Sequence, residues 1–88
     1  MKKTTKRKKR TVKKSNGLQL IQAEHNKAKL KYKDNFSSNH EGFAVLKEEV
    51  DELWDEVKRK HPSNEQLREE AIQIGAMALR FLNELTHA

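Results

Sequence analysis

Apolar positions along this chain recur at spacings of three and four, the period of an α-helix, and nowhere alternate as they would in a strand. Leu18, Ile21, His25, Ala28 and Tyr32 form one narrow stripe through an otherwise polar segment. Phe43, Leu46, Val50, Leu53, Trp54 and Val57 gather on a second arc, and Leu67, Ala71, Ile74, Ala78, Phe81, Leu82 and Leu85 on a third. The punctuation between them agrees. Ser15-Asn16-Gly17 puts cap residues ahead of the first stripe, and the pattern lapses from Asp34 to Asn39. Ser38-Asn39-His40-Glu41 has the spacing of a capping box, with Ser38 as N-cap and Glu41 returning to its backbone N–H. Pro62 stops the next helix, and Ser63 with Gln66 offers a second capping box. Three helices are therefore predicted: one from about Gly17, one from about Asn39 to Lys60, and one from Ser63 nearly to the C-terminus. Lys58-Arg59-Lys60-His61 would close the second, where cations suit the negative end of the helix dipole.

The third helix also has Ile72, Gly75, Ala76 and Leu79 on its far side, which makes residues 71–79 apolar nearly all round, the mark of a buried helix. Ala71, Gly75, Ala76 and Ala78 are small enough to admit a close neighbour. That neighbour is either the first helix, whose stripe is narrow, or a second copy of the chain. With 88 residues and 34% hydrophobic content the chain is one small domain with a marginal core of its own. The expected fold class is all-α: a three-helix chain forming an oligomeric, dimeric helical bundle. A charge at Ala76 is then expected to dissociate or unfold it.

Charge divides the chain in two. Nine of its 19 basic residues lie in residues 1–14 with no acid among them, so the other ten face all 13 acids and residues 15–88 carry −3. Residues 1–15 read as a basic, disordered tail ahead of a helical domain over 16–88. Such a tail suits nonspecific attraction to nucleic acid, although no aromatic residue is interleaved for stacking. The absence of cysteine excludes a disulfide framework and a thiolate zinc site and fits a cytoplasmic protein. No apolar run approaches the roughly 20 residues of a membrane span, so no membrane partner is expected.

The candidate chemistry lies on the margins of the second and third stripes. Glu49, Glu52 and Glu56 run along one edge of the second helix; Glu70, Gln73, Met77 and Glu84 run along one edge of the third. Antiparallel packing would bring Glu49 and Glu52 together with Glu70 and Gln73. Crowded carboxylates repel one another unless a cation sits between them, and an all-oxygen set suits Mg²⁺ or Mn²⁺ better than zinc. Glu48, Asp51, Asp55 and Glu69 read as solvated, Phe43 and Trp54 as core, and His25 as a half-buried, hydrogen-bonded imidazole. Lys27, Lys29, Lys31 and Lys33 spread around the first helix rather than forming one basic face.

Glu49-x-x-Glu52 followed by Glu70-x-x-Gln73 resembles the E-x-x-E and E-x-x-D pair of the MazG-like all-α nucleoside triphosphate pyrophosphohydrolases. The likeness spans roughly residues 18–86, and the run His40 to Glu49 is similar to members found in phage and bacterial genomes. The resemblance implies a helical bundle working as a homodimer or tetramer, with Mg²⁺ held by carboxylates, that converts a nucleoside triphosphate to the monophosphate and pyrophosphate. Carried over by position, Glu49, Glu52 and Glu70 are the catalytic metal ligands, Gln73 is the fourth ligand, and a neighbour such as Glu56 could orient water. Lys47, Arg80 and a lysine of the first helix are candidates for phosphate contact, and angular position singles out none of them. Gln73 stands where the family usually has aspartate; its amide oxygen can ligate Mg²⁺ but carries no charge and cannot act as a base. Two alternatives stand beside the enzyme: a nucleotide-binding or sequestering protein of the same fold, and a small helical adaptor that binds nucleic acid through its tail.

Overall fold

Each helix starts on a side-chain cap. The computed structural model describes residues 16–86, which hold α1 (Gly17–Lys31), α2 (Asn39–Val57) and α3 (Asn64–Leu85), with no strand among the described residues. The Asn16 side chain accepts from the Gln19 N–H, Ser38 from Glu41, and Ser63 from Gln66, each satisfying a donor the helix cannot. Neither capping box closes reciprocally. Glu41 reaches past Ser38 to the N–H and hydroxyl of Ser37, and the Gln66 amide turns forward to donate to Glu70 at 2.7 Å. The tail and its proposed nucleic-acid contacts fall on residues 1–15, outside the described residues.

The second helix ends at Val57, three residues short of the predicted Lys60, and the basic run lies in the turn beyond it. Glu56 explains the early exit. Its buried carboxylate accepts from the Ser63 N–H at 2.7 Å and from Arg59 Nη1 at 3.1 Å, pulling the chain round into the cap of α3. These bonds hold its pKa below the usual carboxylate range, the Ser63 N–H foremost. Glu56 is thus a corner brace.

α3 is the centre of the molecule. α1 and α2 each pack along it and touch each other little. Two glycines mark the closest approaches: a Cβ at Gly75 would lie 2.6 Å from Ile21 Cδ1 of α1, and one at Gly42 would lie 2.6 Å from Leu85 Cδ1 and 2.8 Å from Phe81 Cδ2 of α3. Ala28, Ala76 and Met77 form the core, with Val45 and Leu46 packed against it. The far side of α3 is therefore covered by α1 of the same chain: Ala76 is wholly buried, and Ile72, Gly75 and Leu79 are half-buried. A narrow stripe suffices because small residues let α1 come close, so a charge at Ala76 strikes the core rather than an interface. The apolar surface left open lies elsewhere. Phe43 and Trp54, expected in the core, are 60% and 57% exposed. No helix among the described residues is long and apolar enough to cross a membrane.

A second brace joins α1, α3 and the segment between α1 and α2. Glu84 accepts from Arg80 Nε at 2.9 Å, Lys29 Nζ at 2.9 Å and the Phe36 N–H at 2.7 Å. Arg80 is buried with the Phe36 ring 4.0 Å from its guanidinium. Burial alone would raise the Glu84 carboxyl, but its three donors hold it down to about 2.

Candidate metal centre

Glu49 and Glu52 lie one turn apart on α2, and the antiparallel packing on α3 sets Glu70 opposite them. One carboxylate oxygen from each of the three lies within 4.8 Å of the other two. Helical period contributes on both sides: Glu49 falls beside the half-buried Leu46 and Leu53 of α2, Glu52 follows one turn on, and Glu70 falls beside the half-buried Leu67 and Ile74 of α3, so packing these residues brings the acids together. Partial burial, followed by the charges of Glu52 and Glu70, pushes the Glu49 carboxyl up to about 7. Burial and then the Glu70 charge raise Glu52 as well. Glu70 is steadied from its own helix by the Gln66 amide. Three carboxylates at this spacing supply an oxygen-only donor set, the type that hard divalent cations take.

Gln73 lies one turn along α3 from Glu70, and its amide faces α1 rather than α2. Its Nε2 donates to Glu24 Oε2 at 2.8 Å. Glu24 is a site neighbour that the stripe pattern did not single out. Its signal was available, since it lies one turn from Ile21 and Ala28 on the edge of the α1 stripe, but a lone acid on a lysine-rich helix reads as solvated. Lys27 pairs with it at 3.4 Å.

Because α1 and α2 part on either side of α3, a groove of about 1070 Å³ runs between them. Gln73, Met77 and Arg80 of α3 line its floor; Glu24, Lys27 and Lys31 lie on the α1 wall and Glu48 and Glu49 on the α2 wall. Tyr32 and Phe36 stand at the far end, with Lys31 Nζ 5.1 Å from the Tyr32 ring centroid. Glu49 thus belongs to both the carboxylate cluster and the groove, whose lining mixes acids, cations and aromatic rings.

Of the candidates for phosphate contact, Lys27 and Lys31 of α1 line the groove, while Lys47 and Arg80 are placed differently. Lys47 pairs with Asp51 at 2.9 Å on the exposed side of α2, outside this groove. Arg80 lines the groove but gives its donors to Glu84 and the Asp34 carbonyl. Asp55 is exposed and paired with Lys58. His25 is half-buried as expected, yet its Nδ1 has no hydrogen-bond partner. Compared with protein-family models, curated proteins and solved structures, the chain matches none.

Proposed function

We propose that this protein is a Mg²⁺- or Mn²⁺-dependent nucleoside triphosphate pyrophosphohydrolase of the MazG-like kind, acting in the cytoplasm as a homodimer or larger assembly. The observation that carries the reading is the convergence of Glu49, Glu52 and Glu70 from two helices, with Glu49 also lining the groove. Bound there, a divalent cation would supply Lewis-acid activation of the phosphate chain and neutralise charge on the departing pyrophosphate. The chain's own part is to hold and orient. Glu49, Glu52 and Glu70 provide the ligands, Gln66 fixes Glu70, and Glu49 must give up its proton before it can bind a cation near neutral pH. Lys27 and Lys31 on the groove wall offer positive charge to the phosphates, a role the geometry suits better than Lys47 or Arg80. Water cleaves the bond between the α- and β-phosphates, leaving monophosphate and pyrophosphate.

One observation favours a second reading, nucleotide binding without efficient turnover. Gln73 brings no charge and its amide nitrogen is engaged by Glu24, so the site has three carboxylates where the family pattern has four. Incubation with a panel of nucleoside triphosphates and Mg²⁺ or Mn²⁺, followed by chromatography, separates the two. Monophosphate with pyrophosphate supports the enzyme, and tight binding without product supports sequestration. Neither binding nor product removes both and leaves the adaptor with its tail.

A further inference from the structure

Five large apolar side chains stand exposed on one face: Phe43, Val50, Trp54 and Val57 of α2 and Leu82 of α3, each between 45% and 60% accessible. With about 100° of turn per residue the four on α2 fall within roughly 60° of arc, and Glu52 lies on nearly the opposite side of the helix. The face is thus the back of the molecule, away from the carboxylates and the groove. Ala71 and Ala78 of α3 are exposed beside it and add no bulk to hold a neighbour off. Meanwhile the chain's own buried apolar side chains are Ala28, Phe36, Ala76 and Met77, and no large side chain among the described residues is fully buried. Trp54, the largest apolar side chain, has been left outside the core.

We propose that this face is where a second copy of the chain docks, α2 against α2, about a twofold axis near Val50. This deepens the oligomeric part of the proposed function by naming its surface, and it does not depend on the hydrolase chemistry. The sequence is self-complementary in the way an isologous contact requires. Phe43, Val50 and Val57 are seven residues apart, so an antiparallel copy sets Val50 against itself and Phe43 against Val57 of the second copy, with Trp54 flanking the axis. The size fits too. The five residues expose on the order of 500 Å² per chain, or about 1,000 Å² for a pair, which is about the area a specific interface must clear and within the upper range for an apolar patch on a monomer. The Ala71 and Ala78 positions allow α2 of the second copy to settle into the angle between α2 and α3.

The test is the solution mass of the full chain by light scattering at tens of micromolar, run with V50D and with V50C. The chain has no cysteine, so a single introduced thiol reports one position. The expected results are a dimeric parent, a monomeric V50D that keeps its helical circular dichroism, and rapid covalent dimer formation by V50C on mild oxidation. L30C, on exposed α1, is the control and should cross-link far more slowly. Should V50D fail to fold, the V50C and L30C comparison decides alone. A monomeric parent would overturn both this interface and the oligomeric reading, as would a face that pairs only with some other protein. A dimer that V50D leaves intact, or equal cross-linking of V50C and L30C, would overturn this interface while leaving an assembly through another face.

Discussion

Glu49 is where the chemistry of the site can be read from stability alone. Its carboxyl is raised from 4.5 to about 7 in the folded chain, so the folded state holds the proton more tightly than the unfolded one. Between those values stability must therefore fall as pH rises, and the penalty is complete above about pH 7. Glu84 works in the opposite sense but below 4.5, where its lowered carboxyl loses its donors' support only as pH falls toward 2, so the two windows do not overlap. The melting temperature of the metal-free protein should drop by about 5 °C between roughly pH 5 and pH 7.5. Glu49→Gln should flatten that drop, and so should Mg²⁺, as thermal melts across this range will show. Gln73 yields a sharper case. Gln73→Asp would remove the donor to Glu24 and oppose two acids, which should cost about 1–2 kcal/mol without metal. Added Mg²⁺ should then stabilise this variant more than the parent, a difference read by the shift in melting temperature on titration. The three glutamates were legible because period sets Glu49 beside Leu46 and Leu53 and Glu70 beside Leu67 and Ile74, although Phe43, Val50, Trp54 and Val57 of the same predicted stripe face solvent. The partnership of Gln73 with Glu24 was not, because it depends on how α1 crosses α3, and period alone does not fix a crossing angle.

At the scale of elements, the caps at Asn16, Ser38 and Ser63 were readable because a cap is a local bond between residues three apart. The end of α2 was not. It is set by Glu56 reaching seven residues ahead to the Ser63 N–H, a contact that no helical signal encodes. The two glycines show how much of the packing is steric. Gly75→Ala adds a methyl where Ile21 already stands, and α1 must shift or Ile21 must leave its rotamer. The gain in helix propensity of about 1 kcal/mol offsets part of this, and the expected net loss is about 1–2 kcal/mol by denaturant titration. Glu84→Ala should cost more, about 3–5 kcal/mol, since it leaves Arg80 buried without its carboxylate and detaches the Phe36 N–H as well. The lysine spacing on α1 gave no hint of that brace. Lys29 alone among the four meets Glu84, a partner 55 residues on.

For the whole molecule, the all-helical class follows from period and punctuation, whereas period does not say which apolar face stays open. Small residues at 71–79 suit either a second chain or α1, and here they let α1 close over Ala76 within the same chain. Apolar period identifies which residues avoid water and not which neighbour covers them. Removing residues 1–14 should leave helix content and melting temperature of the remainder nearly unchanged, with most nonspecific nucleic-acid binding lost along with its salt dependence. Survival of that binding with the same salt slope would place the polyanion site elsewhere. The central claim is that Glu49, Glu52 and Glu70 form one divalent-cation site. Its most direct test is calorimetric titration of Mn²⁺ into the parent and into Glu49→Gln, Glu52→Gln and Glu70→Gln near neutral pH. The account predicts binding by the parent with release of protons, since Glu49 titrates near 7, and affinity lower by about tenfold or more in each variant. The same isotherm for all four proteins would contradict it.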